Sequence, residues 1–537
     1  MTATLTSAGY PGAGNGSSGP VSSPQFWRGT SVQVCGMFPF TTAVGTPLLG
    51  SPLGRHMHTG GTVCFDPIAW FEGKLISNPS VFVLGLNGRG KSTMVGHMMT
   101  CLAGFGVLPF VLGDLKPDYV DLITVLGGQV NEIGPGRGAL NPLDNREAVD
   151  AVKRLRAAIP FQSGAGKLAE QIEADSLARR ASLVSSLIAI GRRGDTTDQE
   201  DAMIEQAIRV LDETFQSTPT LADLLQVVTS APPSLREVVL DDGDDTIYNK
   251  RTLELRSSIS SLVSGGKLST LFAGQTAAPM HRDVPVVFDI SSIPESRGEM
   301  TAAALMCCWT IGFGVVNIAH ALADAKLEPE RHYLLVLDEM WRALRAGHGM
   351  ADRIDSVSRL NRTMGVGQVM ISHTMADLLA LPLQADIMKA RGLVERAGAV
   401  LLGPLPRGEM GMLTDSVPLS EAEQEELVSW SGQAAWGRRE QANTVPGMGQ
   451  FMLKVGGRPG IPIKIQVSEY ERSLHDTNAR WRESSRIGKV DDSLNTTIAV
   501  NDSTPTGRPV DWTNPYDGAS IPPPAEHIDG VGNGGDI

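Results

Sequence analysis

The chain has 537 residues, 42% of them hydrophobic and 20% charged, with a formal net charge of −13. The length allows about two to four domains, and the acidic balance argues against a protein that coats duplex nucleic acid through a basic surface. Five cysteines (Cys35, Cys64, Cys101, Cys307 and Cys308) form no C-x-x-C pair and leave one over, so no zinc site or disulfide framework is implied and a reducing cytoplasm is expected.

Residues 1–28 are Gly, Ser, Thr and Pro with little to bury, and a disordered tail is expected there. They lack the basic region and apolar core of a signal peptide. Residues 81–85, VFVLG, read as a strand that runs into GLNGRGKST and then a helix through Met94 to Leu102. VLPFVLGD (107–114) reads as the next strand. From about 146 to 280 the pattern is helical, and Thr220 is placed as a cap ahead of an apolar helix face. VPVVFDI (284–290), HYLLVLDE (332–339), GVGQVMISH (365–373) and GAVLLG (398–403) follow as strands. Strands separated by helices predict an α/β fold with a mostly parallel sheet. Residues 29–145 and 281–484 would form its two parts, 146–280 an all-helical insertion, and 485–537 a second disordered tail.

Residues 301–323 carry no Asp, Glu, Lys or Arg and are long enough to span a bilayer. Asn317 and His320 lie within them, and a helix buried against a sheet has the same composition; the buried helix is the expectation.

Gly85, Gly90, Lys91 and Ser92 satisfy the spacing G-x-x-x-x-G-K-[ST]. Glycines let the backbone curl so that successive N–H groups face phosphate oxygens, and the following helix adds its positive end. Residues Gly85, Leu86, Asn87, Gly88, Arg89, Gly90, Lys91, Ser92 and Thr93 are therefore the candidate cradle for ATP. Lys91 would neutralise the β- and γ-phosphates, and the Ser92 hydroxyl would bind Mg²⁺. Two apolar strands end in Asp, at Asp289 and Asp338. The second is preferred because Glu339 follows: Asp338 would hold Mg²⁺, and Glu339 would polarise the attacking water. Asp289 reads as a strand-end turn residue. LVSGGK (262–267) resembles the signature loop of ABC transporters, but a strand and a long helix separate it from Asp338, so Gly265 and Gly266 read as a turn. His373, at the end of the next strand, is placed to sense the γ-phosphate. Arg359 and Arg362, just before that strand, are candidates to reach a neighbouring subunit's nucleotide in a ring.

GLNGRGKST, GDLKPDYVDLITVLGGQVNEIGPGRGALNPLD, LLVLDEMWRAL and SRLNRTMGVGQVMISHTMADLL, in this order, resemble the VirB/TraC-type ATPases of conjugative type IV secretion systems. These belong to the HerA–FtsK superfamily of ring-forming motors, and the character is that of ATP-binding proteins of actinobacterial mobile elements. The resemblance runs from about residue 60 to 470. It implies a RecA-like P-loop ATPase core and a homo-oligomer, a hexamer by analogy. It also implies secretion or conjugation channel proteins as partners and DNA as a candidate ligand. The location it implies is cytoplasmic, or peripheral at the inner face of the cell membrane. The family's Asp-Pro-x-x-Glu-Tyr stretch stands here as Asp114-Leu115-Lys116-Pro117-Asp118-Tyr119, with the proline moved. The family's sensor glutamine corresponds to His373, and its arginine to Arg362. Many members carry a large N-terminal docking domain, and no counterpart is expected among the residues before the core, only about 50 of which are expected to be ordered. Glu339, Lys91, Arg362 and His373 are thus the expected catalytic set. A DNA translocase of the FtsK or HerA kind and an ATP-dependent assembly switch are the alternatives.

Overall fold

The computed structural model describes residues 46–162, 164–215, 217–345, 365–381, 384–432 and 445–474. Both predicted tails, 1–28 and 485–537, lie outside them, as do Arg359 and Arg362.

The frame is a sheet of eleven strands: β1 Pro52–His56, β2 Thr62–Cys64, β3 Ser80–Leu84, β4 Val107–Asp114, β5 Gln129–Glu132, β6 Val286–Asp289, β7 His332–Leu337, β8 Val366–Ile371, β9 Ala399–Leu402, β10 Gln450–Lys454 and β11 Ile461–Ile465. Their order is β2-β1-β11-β10-β9-β3-β8-β7-β4-β6-β5. From β9 to β5 every pairing is parallel. From β9 through β10, β11 and β1 to β2 every pairing is antiparallel. The fold is α/β with a mostly parallel sheet, as the alternation of strands and helices predicts, and RecA-like, as the resemblance implies. The strand spans expected at 81–85, 107–114, 284–290, 332–339, 365–373 and 398–403 each contain a strand. The short strands β1, β2, β5, β10 and β11 were not foreseen.

The parallel strands read as unbroken apolar runs because both faces are covered. In β3, Phe82 and Leu84 enter one core while Val81 and Val83 enter the other. In β7, Tyr333, Leu335 and Leu337 face the first side, and Leu334 and Val336 the second. This two-residue alternation makes a three-layer molecule. The helix Lys91–Gly104 covers one face through Met94, Val95, Met98 and Leu102. The helix Gly298–Asp324 covers the other, with Met300 to Trp309 almost continuously buried. That helix is the apolar segment at 301–323. It is long and apolar enough to cross a membrane, yet 83% of its most apolar window is buried inside the protein. Small residues let it lie close on the sheet: a Cβ on Gly312 would stand 2.4 Å from Leu112 Cδ2.

Between β5 and β6 the described residues form seven helices and no strand, the longest being Ala165–Arg192. The helix Leu221–Ser230 is capped by Thr220, whose N–H and hydroxyl donate to the Asp223 carboxylate at 2.7 and 2.8 Å. Gly265, at φ +75°, turns the chain between the helices Asp245–Val263 and Ser269–Phe272.

Candidate active site

Strand register brings the site together. Val83 pairs with Ile371, and Leu337 with Met370, so β3, β7 and β8 end side by side. In an open parallel sheet, ligands bind beyond these carboxyl ends. Gly85, Asp338, Glu339 and His373 all follow directly.

The turn after β3 needs its glycines. Gly88 and Gly90 have φ of +70° and +91°, in the left-handed region that other residues adopt only with strain. Gly85 lies so close to Gly403 that a Cβ would stand 3.1 Å from the Gly403 Cα. The Gly85 N–H donates to the His373 carbonyl at 2.9 Å, and the Leu86 N–H to the Pro404 carbonyl at 3.1 Å. On the outer side, the Gly449 N–H donates to the Arg89 carbonyl at 3.0 Å, and the Arg89 guanidinium donates to the Pro446 carbonyl. The loop is thus fixed to β8, to the residues after β9 and to the start of β10.

Lys91 opens the helix Lys91–Gly104 and is buried. Its ammonium donates to the Gly85 carbonyl at 2.7 Å and the Leu86 carbonyl at 3.3 Å, and lies 3.2 Å from His373 Nδ1. Burial lowers its pKa, against the opposing charges of Asp338 and Glu339.

His373 joins the two halves of the site. Its Nε2 is 3.1 Å from Glu339 Oε2. One neutral tautomer satisfies both contacts: Nε2–H donates to the carboxylate while Nδ1 accepts from Lys91. Glu339 Oε2 also accepts from the Trp341 indole N–H at 2.6 Å, and Lys116 Nζ faces Oε1 at 3.6 Å. Arg342 Nε lies 3.8 Å from Oε2. Burial alone would raise the Glu339 pKa; the hydrogen bond from His373, with the charges of Lys116 and Arg342, holds it at about 2. The backbone at Glu339 has φ +52°, a left-handed conformation that costs a side-chain-bearing residue about 1–3 kcal/mol. Its N–H donates to Asp338 Oδ1 at 2.7 Å.

Asp338 is pushed up to about 6, first by burial and then by the Glu339 charge beside it. Its Oδ2 accepts from the fully buried Tyr119 hydroxyl at 3.2 Å. A serine hydroxyl and an aspartate carboxylate are hard oxygen donors of the kind that Mg²⁺ takes, with its other positions left to water and phosphate. Tyr119 is placed by a turn built on Asp114, whose carboxylate accepts the N–H groups of Tyr119 (2.8 Å), Asp118 (3.1 Å) and Lys116 (3.3 Å). Burial raises Asp114 to about 7 despite these bonds.

Of the residues singled out in the sequence, the structure brings Lys91, Asp338, Glu339 and His373 into one cluster, with Ser92 next to Lys91 in the chain. Arg362 lies outside the described residues. Asp289 stands apart, capping its own turn by accepting the Ser291 N–H at 2.9 Å, with Arg137 3.5 Å away. Sequence reasoning missed Tyr119, Trp341 and Lys116 as parts of the site. The tyrosine and lysine lie in the stretch after β4 that the family pattern marked, and the tryptophan follows Glu339 by two residues.

A parallel sheet in this order, with a glycine-rich turn after a central strand and an acidic pair two strands away, defines a P-loop NTPase fold. VirB4 of Thermoanaerobacter pseudethanolicus shares it: TM-score 0.57 and 21% identity over 80% of this chain and 100% of that one. At that identity the likeness speaks to fold alone. The plasmid coupling protein TrwB, solved with a non-hydrolysable ATP analogue, is similar at TM-score 0.44 and 13% identity over 73% of this chain and 86% of that one. The cytoplasmic domain of the type VII secretion ATPase EccC of Thermomonospora curvata is similar at TM-score 0.28 and 14% identity, over 79% of this chain and 30% of that one. No family model matches the sequence, and no curated protein matches it.

Proposed function

We propose that the chain is an ATP-hydrolysing motor that energises transfer of DNA or protein through a conjugative or type IV secretion-like apparatus. The observation that carries this reading is the His373 bridge, which ties the phosphate-loop lysine to the carboxylate of Glu339. A protein that only binds nucleotide has no need of an acidic side chain held at that place. Gly85 to Thr93 would cradle the phosphates, and Ser92 and Asp338 would hold Mg²⁺, which supplies charge neutralisation at the β- and γ-phosphates when bound. Glu339 would orient the attacking water and accept its proton. His373 would report the state of the γ-phosphate to both halves of the site. The fold shared with VirB4 supports the secretion setting. Residues 146–280 would form a helical insertion within the core. The working form would be a homo-oligomeric ring, a hexamer in this reading, with Arg362 acting on a neighbour's nucleotide. The ring would sit in the cytoplasm, docked on membrane-bound channel proteins.

The test is the native mass of the Glu339→Gln protein with and without Mg-ATP, beside ATP binding and turnover. Glu339→Gln should bind ATP without hydrolysing it, and Lys91→Ala should not bind. A rise to the mass of a ring with Mg-ATP supports the motor. Hydrolysis equal to wild type by Glu339→Gln removes the catalytic assignment. A monomer under both conditions shifts the reading toward an assembly switch.

A further inference from the structure

Glu339 is crowded for a residue that must accept a proton from water. Oε2 is taken by the Trp341 indole and His373 Nε2, at 2.6 and 3.1 Å. These two donors also contact each other, with ring centroids 6.0 Å apart. Oε1 is faced by Lys116 at 3.6 Å, beyond hydrogen-bond length. Lys116 is unlike the other two groups because its side chain is 47% exposed, against 14% for His373. An ion pair with one solvated partner is weak and easily exchanged.

The backbone beneath Lys116 is fixed while its side chain is half-exposed. The Lys116, Asp118 and Tyr119 N–H groups all donate to the buried Asp114 carboxylate. The same turn carries the Tyr119 hydroxyl to Asp338. Lys116 therefore stands at a set distance from the metal-side residues, and its charge reaches Lys91. Two ammonium groups that repel each other are both relieved by an anion that both can reach.

We propose that Lys116 is a ligand of the nucleotide's γ-phosphate, and that in taking the phosphate it leaves Glu339 and frees Oε1 for the attacking water. The inference rests on the nucleotide reading above. A phosphate carrying more charge than a carboxylate, and aimed at by Lys91 as well, is the better partner for the exposed ammonium. The exchange makes the base available only when a γ-phosphate is present. ADP, which has none, leaves Lys116 on Glu339. The water's proton then passes to Glu339 Oε1 as the water oxygen bonds to the γ-phosphorus and the bond from that phosphorus to the ADP oxygen breaks.

Lys116→Ala and Lys116→Arg test this, with ATP and ADP titrated separately in Mg²⁺ and with steady-state hydrolysis measured alongside. Removing one charge-assisted bond made only to the γ-phosphate should lower ATP affinity about tenfold and leave ADP affinity within about twofold. The maximal rate should fall roughly tenfold to a hundredfold. Lys116→Arg should restore most of the preference for ATP over ADP. An unchanged ATP/ADP ratio in Lys116→Ala, with turnover unchanged or raised, would mean that Lys116 merely shields Glu339, and the proposal falls alone. Failure of the wild-type protein to bind ATP would overturn the nucleotide reading itself, and Lys116 with it.

Discussion

The Nε2 of His373 lies 3.1 Å from Oε2 of Glu339, and the opposite ring nitrogen lies 3.2 Å from the Lys91 ammonium. The imidazole must donate on one side and accept on the other. An amide can do the same with its NH2 and its oxygen. His373→Gln should therefore keep most of the hydrolytic rate, within about threefold. His373→Ala leaves a buried carboxylate and a buried ammonium short of a partner, and such losses run to about 1–3 kcal/mol each. It should lower the rate by roughly tenfold to a hundredfold. Steady-state turnover of the two variants separates the cases, and equal losses would mean that the ring, rather than its hydrogen bonds, is what the site requires.

A second histidine makes a pH-dependent clamp behind the phosphate loop. His97 Nδ1 is 2.6 Å from Glu471 Oε1, and Nε2 is 2.9 Å from the Pro52 carbonyl. Both partners accept, so the ring must carry two protons and a positive charge. Burial would lower its pKa, but these bonds, with the Cys101 sulfur 3.9 Å away, raise it to about 9. Glu471 is held below its ordinary value by the same pair, against its own burial. A raised histidine stabilises fully below its ordinary 6.5 and loses that contribution as pH rises through about 9. A lowered carboxylate contributes above its ordinary 4.5 and loses that on acidification. The clamp is therefore strongest between these limits. His97→Ala should cost roughly 2 kcal/mol near pH 6. The difference from wild type in urea unfolding should shrink toward the cavity term alone above about pH 9. A gap that stays constant from pH 6 to pH 10 would show that the ring is neutral.

The buried reading of the helix Gly298–Asp324 has its own consequence. A Cβ at Gly312 would stand 2.4 and 2.6 Å from the two methyl carbons of Leu112 on β4. Gly312→Ala gains helix propensity of about 1 kcal/mol, yet it must push the helix off the sheet, and overpacking costs about 1–3 kcal/mol. The net expectation is a loss of stability of up to about 2 kcal/mol. A lowered Tm with detergent-free solubility retained would match; a raised Tm would mean that the helix can withdraw from the sheet at little cost.

The glycine-rich turn between β3 and the helix Lys91–Gly104 could be read from the sequence because its signal is local: glycines, a lysine and a hydroxyl at fixed spacing between a strand and a helix. Asp338, Glu339 and His373 were legible because each ends an apolar run. What escaped was whatever depends on distant partners. Tyr119 reaches Asp338 across 219 positions, and nothing in either neighbourhood announces the other. Strands β1 and β2 have five and three residues with no apolar run, and β1 exists as a strand through its pairing with β11, Gly54 opposite Ile465. Strand β5, Gln129–Glu132, is only half-buried and mixed in polarity, so periodicity could not mark it.

Tyr119 also offers the sharpest test of where the metal would sit. Its hydroxyl donates to Asp338 at 3.2 Å, and the ring is fully buried. Tyr119→Phe keeps the ring and its packing and deletes one oxygen, so the fold should hold within about 1 kcal/mol. Asp338, expected to hold Mg²⁺, would lose the bond that orients it, and losing such an outer support weakens metal binding by about 10–100-fold. Turnover at saturating Mg²⁺ should fall little, while the Mg²⁺ concentration for half-maximal activity should rise by at least about tenfold. ADP binding measured without Mg²⁺ should be unaffected, because the phosphate loop does not depend on the phenol. Should the Mg²⁺ requirement stay at the wild-type value, Asp338 is oriented by its own backbone and the phenol is merely packing. A fall in turnover at every Mg²⁺ concentration would instead give the hydroxyl a part in the hydrolytic step.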